Sequence, residues 1–319
     1  MQRGRAVFIV GAGRSGTSAI TRGVQALGVN LGRDFKRATR KNPSGFFEDA
    51  GLLAISKRVR RSLGLRPGSV RLIDPSEWEQ PAIARLRAAA EDVIRRRFAQ
   101  SAPWGFKYGR TLRILPFWEP VLQRLNMDPG YVVALRNPLS VARSRALIDP
   151  RRGTQEKSDL EWLAGIVPYF QRMRGRGLVV VDYDLLMQDP AAQLRRVART
   201  LELTLDADAG AAVDAYARGF LKPGMQHNRF SLADLQGDTR LNPLCRDAYL
   251  LLHRLATDEL APEDNAFWES WNTIERSLIE MGPLLRLIDD LERRGRHACW
   301  NPFSFVPEAL YRWRVWRRN

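Results

Sequence analysis

The stretch Val7 to Ser18, VFIVGAGRSGTS, constrains the fold more than any other part of this chain. An apolar run that enters a glycine-rich loop and then helical spacing reads as buried strand, tight turn and helix. Ala19, Ile20, Val24 and Leu27 recur at the interval that turns one helix face toward a sheet. Gly11 and Gly16 bracket the loop at G-x-x-x-x-G spacing. In such a loop successive backbone N–H groups can surround a phosphate, and the next helix points its positive end at it. The glycines let the backbone approach the anion closely. A ligand-free turn is the bland alternative, and the hydroxyl residues Ser15, Thr17 and Ser18 weigh against it.

The residue after Gly16 decides the kind of loop. A Walker A motif places lysine there, followed by a hydroxyl on Mg²⁺. Here Thr17 takes that place and the cation comes earlier, at Arg14. That argues against ATP or GTP hydrolysis. A dinucleotide fingerprint fits poorly too: Gly11, Gly13 and Gly16 match G-x-G-x-x-G, but Thr-Ser follows and no acidic residue ends the second strand.

Further along, 50–63 and 81–99 have helical patterning, with a loop over 64–81 near the site. WGFK (Trp104 to Lys107) reads as a second strand, and a helix follows from Leu112 with Pro116 in its first turns. YVVALR (Tyr131 to Arg136) reads as a third strand, with a helix from Pro138 to Leu147. GLVVVDYDLL (Gly177 to Leu186) reads as a fourth, followed by a helix in DPAAQLRRVARTLEL. Continuous apolar strands alternating with helices predict a parallel sheet covered on both faces. The expected architecture is an α/β, P-loop-type three-layer fold with a helical C-terminal annex. Residues 1–204 form its nucleotide-binding core, and 205–319 a dependent helical region. The tryptophans 268, 271, 300, 313 and 316 read mainly as packing residues there.

The charge balance is +16, from 51 Lys plus Arg against 35 Asp plus Glu, and only six of the 51 are lysine. Arginine suits bidentate recognition of phosphate and sulfate, although a codon bias would give the same composition. Either way, the field attracts anions. Nucleic acid has only this charge in its favour, because no zinc-finger spacing, RNP-like aromatic motif or recognition helix appears; it is not an expected partner. Cys245 and Cys299 are too few and too far apart for a disulfide framework or zinc site, which fits a reducing, cytoplasmic location. AVFIV is too short for a signal peptide core or membrane span. The terminal ALYRWRVWRRN could touch a membrane surface peripherally or a partner, with a solvated helix as its plainer reading.

With Arg-Ser-Gly-Thr-Ser between strand and helix, the chain resembles sulfotransferases that use 3′-phosphoadenylyl sulfate. LRNPLSVARSR strengthens the resemblance: Arg136 closes a strand and Ser144 comes eight residues later. The resemblance implies that Gly13, Arg14, Ser15, Gly16, Thr17 and Ser18 hold the 5′-phosphosulfate end, and that Arg136 and Ser144 hold the 3′-phosphate. NPSGFFED, WGFK followed by Arg110, and VDYDLLMQDP look like bacterial members of the family. LKPGMQHNR is a weaker match, and the likeness thins beyond residue 200. Where many relatives carry Lys-Asp-Pro-Arg, this chain has Lys107-Tyr108-Gly109-Arg110.

The implied reaction is sulfuryl transfer without a metal, with Arg14 on the sulfate and bridging oxygens. Glu48 is the first candidate for general base, with a helix-start acid as its structural alternative. His227 is the second. Lys107 is a candidate for assisting the leaving group or binding the acceptor. Phe46, Phe47, Trp104 and Trp118 could stack on sugar faces, which favours a carbohydrate or glycolipid acceptor; they could equally be core. The rivals are a P-loop kinase of a nucleotide or sugar, a binder that has lost its base, and a protein reading polyanions through arginine. Oligomeric state is not legible.

Overall fold

The computed structural model describes residues 4–37, 45–98, 103–221, 224 and 228–300. Four parallel strands form its centre: β1 (Gly4–Gly11), β2 (Trp104–Lys107), β3 (Met127–Leu135) and β4 (Gly177–Asp182). They lie in the order β2-β1-β3-β4. Between β1 and β2 come α1 (Thr17–Ala26), α2 (Ala50–Ser62) and α3 (Pro81–Phe98). Next, α4 (Leu115–Arg124) leads into β3, and α5 (Pro138–Ala146) and α6 (Gln155–Phe170) connect β3 to β4. After β4 follow α7 (Tyr183–Gln188), α8 (Pro190–Thr200) and α9 (Ala207–Ala215). The described chain closes with α10 (Leu232–Gly237), α11 (Pro243–Ala256), α12 (Asn265–Glu280) and α13 (Gly282–Trp300).

Both faces of the sheet are buried, which is why its strands are apolar without alternation. Ala6, Phe8 and Val10 of β1 enter the larger core, with residues of α2, α3, α4, α6, α11 and α12. Val7 and Ile9 enter the smaller one, with α1, α8 and the segment to Leu221. Phe8 anchors the larger core, its ring centroid 6.0–6.3 Å from those of Trp104, Phe106, Trp118 and Tyr131. Truncating such a residue to alanine costs about 3–5 kcal/mol. From β1 the chain passes to β2 on one side and returns to β3 on the other. The strand order therefore reverses between β1 and β3, where open parallel sheets bind ligands beyond their carboxyl ends.

Local chemistry places the helix starts. Asp49 accepts from the Leu52 amide at 3.0 Å to begin α2. Asn137 accepts from the Leu139 amide at 3.0 Å, and Pro138 at the first helical position completes the start of α5. Three expectations are corrected. The fourth strand ends at Asp182, whose carboxylate accepts from the Asp184 and Leu185 amides and turns YDLL into helix. Leu112–Ile114 is a 3₁₀ turn, and the α-helix starts at Leu115 with Pro116 in its first turn. The loop over 64–81 contains a further 3₁₀ turn, Pro75–Glu79, capped by Asp74. Helix α6, unassigned from sequence, carries an apolar stripe broken by Pro168.

The annex tryptophans Trp268 and Trp271 pack as expected, their rings 5.8 and 4.5 Å from Phe170 of α6. Trp313, Trp316 and the basic aromatic terminus lie outside the described residues. No described helix is long and apolar enough to cross a membrane. Cys245 is a buried free thiol.

Candidate functional site

The loop between β1 and α1 is held by steric necessity at two glycines. A Cβ on Gly11, where φ is +139°, would lie 2.5 Å from the Ala134 carbonyl oxygen of β3. A Cβ on Gly16, where φ is +76°, would lie 2.1 Å from Cδ2 of Tyr183. Gly16 is also the N-cap of α1 and brings no side chain to its first-turn amides, which suits an anion. Arg14 has φ +79°, an uncommon conformation for a residue with a side chain. The Ser15 amide donates to the Ala12 carbonyl at 3.3 Å, closing the turn.

The elements after β1 and β3 bring the sequence-predicted residues together. Arg14 Nε donates to Ser144 Oγ at 3.0 Å. Arg136 Nη1 donates to the Arg14 carbonyl at 3.2 Å, and its ring partner Tyr183 lies 4.8 Å away. The other Arg136 nitrogen, Nη2, donates to the Asn228 carbonyl at 3.1 Å, so the described end of LKPGMQHNR crosses this corner. Partial desolvation and the charge of Arg136 pull Arg14 below the ordinary guanidinium range. Burial lowers Arg136 likewise, against the opposing pull of Tyr183, Asp184 and Asp182. Two guanidinium groups thus converge on one loop, and no ion pair to either appears among the described residues.

Lys107 and Glu48 lie on the other side of the loop. The Lys107 ammonium, at the end of β2, donates to Ser18 Oγ at 3.1 Å, to the Phe46 carbonyl at 3.0 Å and to Glu48 Oε1 at 3.2 Å. Lys36 approaches Glu48 Oε2 at 3.5 Å and lies 3.4 Å from the Phe46 ring centroid. Glu48 therefore sits, buried, between two ammonium groups, one residue before the cap of α2. Burial, aided by the charge of Lys36, lowers the Lys107 pKa, and Glu48 opposes the shift.

Arg14, Lys36, Phe46 and Glu48 border a cavity of about 460 Å³ that continues from Gly11–Arg14 to Gly165 on α6. Nine of its lining residues are Lys or Arg and three are Asp or Glu. The sequence reading did not anticipate Arg60, Arg113 or Arg145 as part of it. Arg60 falls on the buried stripe of α2 with Leu52, Ser56 and Val59, which was its one signal. Tyr108 is buried and accepts from Arg60 Nη1 at 3.0 Å. Of the two readings open for Trp104 and Trp118, the core one holds and ligand stacking does not: they are 1% and 0% exposed, and neither can meet a ligand. Phe47 packs against Phe35 and Phe220, leaving Phe46 at the cavity wall. His227 lies outside the described residues. No group of His, Cys, Asp and Glu able to hold a metal occurs among the described residues.

No family model and no curated protein matches the chain. Solved structures do resemble it. The sulfotransferase domain of the Synechococcus PCC 7002 olefin synthase is 16% identical, with 81% of this chain and 96% of that one covered and a TM-score of 0.42. A sulfotransferase from Mycobacterium avium is 13% identical over 82% of this chain and 78% of that one, with a TM-score of 0.46. A retinol dehydratase solved with retinol and PAP is 12% identical over 88% and 82%, with a TM-score of 0.34.

Proposed function

We propose that this chain is a sulfotransferase moving a sulfuryl group from 3′-phosphoadenylyl sulfate to an acceptor hydroxyl or amine. The observation that carries the reading is the convergence of Arg14, Arg136 and Ser144 on one phosphate-type loop. A nucleoside triphosphate donor has no 3′-phosphate for Arg136 and Ser144 to hold. Two buried polar atoms support the fit: Ser15 Oγ and Arg136 Nε have no hydrogen-bond partner among the described residues. An anionic oxygen at each would remove the penalty of an unsatisfied buried donor, about 1–3 kcal/mol.

In this reading the loop amides from Gly13 to Ser18 and the N-terminus of α1 hold the 5′-phosphate. The S–O bond to that phosphate breaks as a new S–O (or S–N) bond forms to the acceptor. The leaving bisphosphate keeps the electron pair, and Arg14 stabilises the charge gathering on the bridging and sulfuryl oxygens. Lys107, already bonded to Ser18, assists from the opposite side. The acceptor proton passes to Glu48, which Lys107 links to Ser18 of the loop. Phe46 at the wall offers one apolar face to a carbohydrate or glycolipid acceptor.

Calorimetric titration with adenosine 3′,5′-bisphosphate and ADP tests the donor. Wild type binds the bisphosphate at least tenfold more tightly, and Arg136→Ala removes about 1.5–3 kcal/mol from it while leaving ADP within twofold. Equal affinity for the two nucleotides, or no loss in the variant, would overturn the reading.

A further inference from the structure

The cations around the cavity fall into two groups by what neutralises them. Lys36 and Lys107 share Glu48. Arg145 and Arg152 share Glu161, at 3.5 and 2.6 Å. Arg60 and Arg110 belong to the second group, with Arg14, Lys57, Arg66 and Arg113: none of these six lining cations forms an ion pair with a described residue. Arg60 is buried, 8% exposed, and its guanidinium is held by neutral oxygens alone, the Tyr108 hydroxyl at 3.0 Å and the Leu65 carbonyl at 3.1 Å. Its Nε has no hydrogen-bond partner among the described residues. Burial and the charges of Arg110 and Arg113 lower its pKa, with only the Tyr108 hydroxyl group pulling the other way. A buried guanidinium beside a second guanidinium, with no counter-charge, is an arrangement that an incoming anion stabilises.

We propose, on the sulfotransferase reading, that the acceptor carries an oxyanion of its own, a sulfate, carboxylate or phosphate, held by Arg60 and Arg110. Lys57 stands one turn before Arg60 on α2, also lines the cavity, and adds a third charge from solvent. The placement fixes how that group relates to the reacting hydroxyl. Glu48 precedes α2 and Arg60 lies near its end, so at 1.5 Å per residue the two are on the order of 10 Å apart once side-chain lean is allowed for. The acceptor is therefore an extended molecule with its anion well away from the hydroxyl. The oxyanion site differs from the donor site in its residues, sharing neither Arg136 nor Ser144.

The test saturates the protein with adenosine 3′,5′-bisphosphate, then titrates it with sulfate, acetate and methyl phosphate in separate calorimetric arms at constant ionic strength. Sulfate is expected to bind once per chain beyond the nucleotide. Arg110→Gln, at a half-buried residue with no hydrogen bond or ion pair to a described side chain, weakens that event at least tenfold, and Lys57→Gln weakens it less, with nucleotide affinity unchanged within twofold in both. The ranking of the three arms identifies the oxyanion. Absence of a second binding event, or one that Arg110→Gln leaves intact, would overturn the inference while the nucleotide titration still supports the donor. If the nucleotide itself does not bind, the donor reading falls. The same sulfate titration on the free protein and Arg110→Gln then decides the oxyanion site.

Discussion

The two halves of the candidate site hold positive charge in different ways. On the proposed donor side it comes from backbone amides, a helix N-terminus and two arginines ordered by a contiguous loop, with Gly11 and Gly16 pressed against β3 and Tyr183. On the proposed acceptor side it comes from long side chains carried by α2, the link after β2, α5 and the segment beyond it. Backbone can be aimed once and tolerates no substitution, whereas side chains can be exchanged singly. The donor half therefore suits one fixed phosphate geometry. The acceptor half suits a charge requirement whose details can change without disturbing the fold. Lys107 lies at the seam with Glu48, donating to Ser18 of one half, to Phe46 of the other and to Glu48 itself.

The largest effect belongs to that seam. Glu48→Gln keeps the shape and the Lys107 contact but cannot accept the acceptor proton. Turnover with labelled donor is expected to fall about 10²–10⁴-fold. Affinity for adenosine 3′,5′-bisphosphate should stay within twofold, because the variant leaves the loop alone. An unchanged rate removes Glu48 from the chemistry and leaves it as the ion-pair partner of two lysines. A parallel loss of nucleotide affinity would mean the two halves are not separable there.

The next prediction contrasts the halves directly. Gly16→Ala forces a Cβ into Tyr183 at a positive φ and should cost about 2–3 kcal/mol in the urea midpoint analysis. Arg66→Gln, on the exposed rim of the same cavity, should change stability by less than about 0.5 kcal/mol. Comparable losses in both would erase the distinction between a backbone-built and a side-chain-built site.

That distinction also explains what the sequence made legible. The loop, Arg136 and Ser144 were readable because eight contiguous residues and one strand-end motif carry their geometry. Four parallel strands were readable because burial on both faces makes them apolar throughout. The end of β4 was misplaced because Leu185 and Leu186 continue the apolar run, and only the Asp182 cap tells the chain to turn. Helix α6 escaped because Pro168 interrupts its pattern and its buried face includes Gln155, Ser158 and Asp159. Trp104 and Trp118 read equally as ligand-stacking or core residues because an aromatic side chain carries no local sign of which way it faces. Arg60, Arg110 and Glu161 come from three separate segments, and nothing in one segment announces the other two.

A last prediction tests the scaffold under the acceptor half. Asp159 of α6 is fully buried, accepting from Gln155 Nε2 at 2.6 Å and from the Asn242 amide at 2.9 Å, so it ties α6 to the start of α11. Burial raises its pKa to about 7, more than these hydrogen bonds lower it. The unfolded chain holds this carboxyl near the ordinary value of about 3.9. The folded protein thus binds the extra proton between those values, and stability contributed by Asp159 is full below the lower one and lost as pH rises through the higher. The slope is at most about 1.4 kcal/mol per pH unit. Asp159→Asn keeps a carbonyl for the Asn242 amide, and the Gln155 amide can turn its oxygen toward the new NH₂ group. Urea midpoints of the variant should therefore lose this decline between pH 5 and 7, while the wild type keeps it. A wild type whose midpoint rises across that interval, with the variant parallel to it, would show that Asp159 is already ionised inside the protein. The scaffold of the acceptor half would then rest on a charged tether rather than a neutral one.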